Sequence, residues 1–396
     1  MTERTPVSTD APSGRLGDGT RLVHAGDEPV VPGAPLRPSP VFAAPYHLGD
    51  LPPGAGGADA YARPDNPTLR VFERAVGELD GGDCLSFASG MAAISAALMA
   101  VLRAGDRVVL PTDGYYSTRL LATEHLARFG VRVEMVSTPE IGEVAARGDL
   151  EGARLVMLET PSNPRLDVCD IAAIARATRA AGAVLVVDNT TATPIGQRPL
   201  DLGADVTVGA DTKALTGHSD VLLGHVSTAP TGAGRELHDR VAAWRKHTGS
   251  TPGPFEAWLA HRSMGTLDLR LARQAANAAA LVEVLVEHPA VSAVRWPWLA
   301  SDPSAALASR QMLRPNGVVS AEFADAEAVL HLVRSSRFFV AATSFGGIHT
   351  TVDRRAQWGG DAVSEGFVRF SCGIEDTADL VADLRAALDT LPAVRG

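Results

Sequence analysis

The chain has 396 residues, 45% of them apolar and 21% charged, a balance that excludes general disorder. That length exceeds one ordinary core, so a larger and a smaller domain are expected. Asp and Glu outnumber Lys and Arg by 46 to 36, a formal charge of −10 that argues against a polyanion-binding surface and against nucleic acid as a partner.

Three cysteines, Cys84, Cys169 and Cys372, lie far apart with no CxxC pair, which argues against a disulfide framework or a metal site and fits a reducing compartment. Residues 1–20 are polar and small, without the apolar core of an export signal. No apolar run reaches the ~20 residues of a membrane helix, so a cytoplasmic location without a membrane partner is expected. Residues 1–60 hold Gly and Pro clusters such as Pro29-Val30-Val31-Pro32-Gly33 and Leu51-Pro52-Pro53-Gly54, and read as an N-terminal arm rather than a helical domain. From 61 to 255, short β-branched runs end in polar turns: Arg107 to Leu110, Leu155 to Leu158, Val184 to Val187 and Val206 to Val208. Helical stretches such as Met91 to Leu102 and Ile171 to Ala181 lie between them. Continuous apolar strands alternating with helices predict an α/β domain whose parallel or mixed sheet is covered on both faces. A long helical run over Phe255 to His288 opens a smaller α+β domain, 256–396. Strands at Val318 to Phe323 and Phe367 to Phe370 and a closing helix over Thr377 to Leu391 complete it.

In open parallel sheets ligands sit at the carboxyl ends of the strands, and here those ends carry unusual polar residues. Val187 is followed by Asp188-Asn189-Thr190, Leu158 by Glu159-Thr160-Pro161-Ser162-Asn163-Pro164, and Val208 by Gly209-Ala210-Asp211-Thr212-Lys213. Alone, the Asp also reads as a helix cap and the Lys as a solvated side chain. Together they suit pyridoxal phosphate: a Lys can form a Schiff base with the cofactor aldehyde, and an Asp can hold the pyridine nitrogen protonated. Ser89-Gly90-Met91 before an apolar helix offers backbone N–H groups to a phosphate, although plain helix capping by Ser89 explains it equally. Tyr61 and Arg63 could pair with phosphate oxygens or belong to a Pro-rich turn, and the Asp113-Gly114-Tyr115 ring could stack on a flat cofactor or pack in the core. No GxGxxG follows the first strand-like run, which disfavours a nicotinamide site.

The set YARPDNPT, FASGMAA, DGYYST, ETPSNP, VVDNT, TKALTGHSD, TSFGG and FVRFSCGIED resembles the pyridoxal phosphate-dependent enzymes of cysteine and methionine metabolism. These are the cystathionine γ-synthase, β-lyase and γ-lyase and methionine γ-lyase group. The resemblance runs from about Arg21 to the C-terminus and is nearest the actinobacterial cystathionine γ-lyase-like branch. It implies the aspartate aminotransferase-like fold type I, a homodimer as active unit and a homotetramer as the assembly. It casts Lys213 as the Schiff-base lysine, Asp188 as the pyridine partner and Tyr115 as the stacking acid–base group. Gly90, Met91 and Thr212 become phosphate donors, with Tyr61 and Arg63 reaching the phosphate of the neighbouring subunit. Asn163, Ser344 and Arg369 surround the cofactor oxygen and substrate carboxylate. The implied activity is γ-elimination, cystathionine giving cysteine, 2-oxobutanoate and ammonia. γ-Replacement, or a non-standard γ-halo or unsaturated amino acid as substrate, stands beside it. The chain departs from the family at Ala210, where Ser is usual, at Asp211 near the expected phosphate, at Thr343, where Glu is common, at Ser117, and over Ile348-His349-Thr350-Thr351.

Overall fold

The computed structural model describes residues 16–27, 29, 31–48, 50 and 59–393. Its larger sheet holds β1 Asp83–Phe87, β2 Arg107–Pro111, β3 Arg132–Val136, β4 Ala153–Glu159, β5 Val184–Asp188, β6 Val206–Gly209 and β7 Gly224–Thr228, in the order β1-β7-β6-β5-β4-β2-β3. β7 runs antiparallel to both its neighbours, and the other pairs are parallel. Successive strand residues point to opposite sides. Leu155, Met157 and Val186 join one apolar cluster, and Val156, Leu158, Leu185 and Val187 join the other. Both faces are therefore buried, which is why these strands read as unbroken apolar runs.

The helices follow in chain order. α1 Asp18–His24 and α2 Pro67–Asp80 precede the sheet; α3 Gly90–Met99, α4 Tyr116–Leu120, α5 Ile141–Ala146 and α6 Ile171–Ala180 connect its strands; α7 Gly232–Thr248 closes it. The expected Phe255 to His288 run is two helices, α8 Pro254–Met264 and α9 Leu267–Glu287, broken at Gly265-Thr266. The Arg270 guanidinium fills that break and donates to the carbonyls of Ala214, Leu215 and Ser263. The residue range expected as a non-helical arm carries α1, while 51–54, one of its Pro-rich clusters, lies outside the described residues. The boundary expected at 255–256 falls at the start of α8, whose Ala257, Ala260 and Met264 pack with Phe72 and Val76 of α2 rather than on the second sheet.

That second sheet, β8 Ala293–Arg295, β9 Val318–Glu322, β10 Val340–Ala341, β11 Thr351–Arg354 and β12 Phe367–Ser371, has the order β10-β11-β12-β9-β8. α9 and α12 Thr377–Leu388 bury Leu281, Leu285, Leu380 and Leu384 against Val319, Val368 and Phe370. α10 Ala305–Gln311 and α11 Ala326–Ser335 complete the unit. Among the described residues no helix is long and apolar enough to cross a membrane.

Candidate active site

The carboxyl ends of β2, β4, β5 and β6 open on one cavity of about 390 Å³, a size usual for small-molecule sites. Lys213 enters it from the turn after β6, where its N–H donates to the Ala210 carbonyl at 3.0 Å. Its Nζ donates to Ser344 Oγ at 2.7 Å and lies 5.4 Å from the Phe345 ring centre. Burial, then the Arg369 and Arg355 charges, push the amine down to about 8, against a smaller pull from Asp353. Ser344 holds its place with φ +77°, a left-handed backbone that costs a non-glycine residue ~1–3 kcal/mol and concentrates at working sites.

Asp188 ends β5 on the cavity floor. Thr190 N–H and Oγ1 donate to its Oδ1 at 2.9 and 2.5 Å. Burial raises its pKa, while the Thr190 bonds and the His225 charge pull the other way. A buried carboxylate of this kind needs a cation, and a protonated pyridine nitrogen is one. Glu159, paired with Asp188 in the strand register, is pushed well up by burial and by Asp188. It accepts the N–H groups of Tyr115 and Asn163 at 2.6 and 2.9 Å and so fixes both residues.

Across the floor, α3 points its N-terminus into the cavity, with Gly90 and Met91 among the lining residues. Ser89 Oγ caps Ala92 N–H at 3.1 Å, while the first-turn N–H groups have no helical acceptor and suit a phosphate. Position 90 must be glycine here, since a Cβ would stand 2.5 Å from that of Ala210. Thr212 lines the cavity, but its hydroxyl is engaged with the Leu223 backbone, donating to the carbonyl at 3.1 Å and accepting the N–H at 2.9 Å. The acidic Asp211 expected near the phosphate is turned away and buried, hydrogen-bonded to His225 at 2.6 Å. Tyr61 and Arg63 are not brought to this chain's own cavity. Tyr61 is half exposed, Arg63 stacks on it at 5.6 Å, and Arg63 Nη1 donates to the Lys246 carbonyl at 2.5 Å.

At the opposite end lies Arg369 of β12, fully buried. It donates through Nη1 to Asn163 Oδ1 at 2.6 Å and through Nη2 to the Ser344 carbonyl at 2.7 Å and Asp353 Oδ2 at 3.1 Å. Its Nε is buried and has no hydrogen-bond partner among the described residues, which leaves a donor suited to a carboxylate. The ring of Tyr115 also lines the cavity and meets that of Tyr116 edge-on at 5.1 Å. The sequence reading missed Arg355 and Asp353. Arg355 pairs with Asp353 and Asp361, each at 2.6 Å, and Asp353 is thereby shared with Arg369. Trp358, Leu222 and Tyr116 form the rest of the mouth with Thr343.

A depressed lysine, a buried carboxylate, a helix N-terminus and an arginine with a free donor converge here as a site for a pyridine aldehyde phosphate and an amino acid, the equipment of a cofactor-dependent amino-acid enzyme. The chain belongs to the Cys/Met metabolism PLP-dependent enzyme family, whose profile matches residues 39–389, and pyridoxal phosphate is its cofactor. A Streptomyces coelicolor protein provisionally named cystathionine gamma-lyase is 49% identical over 378 residues, 94% of each chain. The Mycobacterium bovis cystathionine gamma-synthase is 38% identical over 384 residues, 95% of this chain and 97% of that protein. The crystal structure of CalE6, titled a methionine gamma lyase from Micromonospora echinospora, superposes with TM-score 0.85 at 36% identity, covering 94% of this chain and 99% of that one. The fold is accordingly the fold type I, aspartate aminotransferase-like architecture of these enzymes, and the chain is a member of a family of enzymes that act on sulfur amino acids.

Proposed function

We propose that the chain is a lyase that removes the γ-substituent of an L-amino acid, with cystathionine and water giving cysteine, 2-oxobutanoate and ammonia. What supports this is the cavity, whose lining brings together an amine with a pKa of about 8 and Arg369, a buried guanidinium whose Nε has no hydrogen-bond partner among the described residues. The names carried by its relatives, γ-lyase and γ-synthase, point to the same carbon.

Lys213 would hold the cofactor aldehyde, Asp188 would keep its ring nitrogen protonated, and the N–H groups of Gly90 and Met91 would receive its phosphate. Thr212 would join them by giving up its bond to Leu223. Pyridoxal phosphate, when bound, supplies an electron sink that makes protons on Cα and Cβ removable. Arg369, oriented by Asn163 and Ser344, would bind the α-carboxylate through Nε. Lys213, released by the incoming amine, would take the Cα proton, give it up again and, as a neutral amine once more, take the Cβ proton; a base with a pKa close to the working pH suits that shuttling. The Tyr115 hydroxyl would protonate the departing group. Tyr61 and Arg63, away from their own chain's cavity, would complete the phosphate site of a second copy, making a homodimer the active unit, with a homotetramer as the assembly and the cytoplasm as the compartment.

A second reading has its own support. Thr343, Leu222, Tyr116 and Trp358 give the mouth neutral surfaces, which favour a γ-substituent without charge, a halide for example, over the zwitterionic far end of cystathionine. Purified enzyme incubated with cystathionine, O-acyl-homoserines, methionine and γ-halo amino acids decides between them. Release of 2-oxobutanoate and cysteine from cystathionine is the expected outcome. Turnover confined to uncharged γ-substituents supports the second reading, and homocysteine with pyruvate would overturn γ-elimination altogether.

A further inference from the structure

Three buried charged side chains stand behind the cavity, and one of them, His225, bears on the groups above through the pull of its charge on Asp188. Asp211, 1% exposed, belongs to the loop between β6 and Lys213. It meets Nδ1 of His225, on β7, at 2.6 Å, and His225 Nε2 lies 3.2 Å from Asp80 Oδ2 at the end of α2. Ser227 donates to that same Asp80 oxygen at 2.6 Å. Burial pulls the ring's pKa down, but Asp211 and Asp80 outweigh it, raise it to about 10 and keep the ring protonated. The ring fits closely against β6, for a Cβ on Gly209 would come within 2.4 Å of it. Removing one side of such a buried pair leaves a charge without its partner, so the contact is a firm anchor.

The loop anchored in this way touches all three ends of the cofactor site. The Ala210 N–H donates to Thr190 Oγ1 at 2.9 Å, and Thr190 in turn donates to Asp188. The Ala210 methyl abuts Gly90 at the phosphate cradle. The Ala210 carbonyl takes the Lys213 N–H, and the Asp211 carbonyl takes that of Thr216 at 3.0 Å. We propose that Asp211 and His225 form a positioning pair that anchors the loop carrying Ala210 and Lys213 from behind, setting the spacing of Lys213, Asp188 and the phosphate cradle for pyridoxal phosphate. The departure at Asp211 is thus part of a device for holding the cofactor, whichever γ-substituent leaves.

The test is titration of the full-length apoprotein with pyridoxal phosphate, following affinity and the visible circular dichroism per bound cofactor. D211A should bind about tenfold more weakly or worse, the scale of one charge-assisted hydrogen bond, and its dichroism should change. D211N keeps an acceptor for the ring and should recover most of both. Where D211A does not fold, D211A/H225L carries the same test, since it removes Asp211 together with the His225 charge and leaves Asp80 with its bond from Ser227, and the same loss is expected. Wild-type affinity with unchanged dichroism in a folded D211A or D211A/H225L would overturn the proposal, as would a D211N that loses as much as D211A. A purely structural role would lower the melting temperature and leave both cofactor readouts in place.

Discussion

An ordinary lysine amine is protonated at neutral pH and cannot attack an aldehyde. Lys213 differs because burial and two neighbouring arginines favour its neutral form, bringing its pKa to about 8. The neutral amine is the reactive species, so capture of pyridoxal phosphate by the apoprotein should speed up as pH rises toward about 8 and level off above it, as a stopped-flow pH series would record. A rate still climbing near the free-lysine value of ~10.4 would contradict this environment. Lys213, Asp188, Asn163, Ser344 and Arg369 were legible because each sits in a short local motif, and the structure gathers them in one cavity. Asp353 and Arg355 were not. Their place follows from the register that sets Asp353 opposite Arg369 and from a turn that swings Arg355 back onto Asp353, neither of which leaves a local signature. Asp211 was misjudged for the same reason, since its partner lies 14 residues further on.

Among the elements, β2, β4, β5 and β6 announced themselves as apolar runs buried on both sides. β1 and β7 did not, because Ser86, His225, Ser227 and Thr228 are polar and yet buried. Most of these groups find a partner, as buried polar atoms usually do. Glu73 accepts Ser86 N–H and Oγ at 2.9 and 2.7 Å, Asp80 accepts from Ser227 at 2.6 Å, and His225 lies between Asp211 at 2.6 Å and Asp80 at 3.2 Å. α2 therefore supplies the carboxylates that make two strands of mixed character possible, and with β7 comes the antiparallel step that places β1 and the phosphate cradle beside the lysine loop. At that cradle G90A would set a methyl group 2.5 Å from Ala210 Cβ, an overpacking that costs ~1–3 kcal/mol. Pyridoxal phosphate affinity should fall while helix content, read by far-UV circular dichroism, stays at the wild-type level. Undiminished affinity would remove α3 from the account of phosphate binding.

At the scale of the whole molecule, the site is a seam. The larger sheet provides the lysine, the aspartate and the helix N-terminus, and the second sheet provides Arg369 from β12 and Asp353 from β11. The Ser344–Gly347 stretch closes the seam: Gly346, with φ +80°, lies so near Ala214 that a Cβ would stand 2.5 Å from its nitrogen. The two-unit plan was readable from the change from strand–helix alternation to a helix-led α+β segment. The packing of α8 on α2 was not, since an amphipathic helix does not declare which neighbour it will cover. One property of the 396-residue chain makes its central claim easy to test: it contains two lysines, Lys213 in the cavity and Lys246 exposed near the end of α7. Borohydride reduction permanently joins an aldehyde cofactor to the amine that holds it, and peptide mass mapping then reads which lysine carries the pyridoxyl group. The predicted result is quantitative labelling at Lys213, abolished in K213A; label on Lys246 instead, or none at position 213 in protein saturated with pyridoxal phosphate, would contradict the assignment.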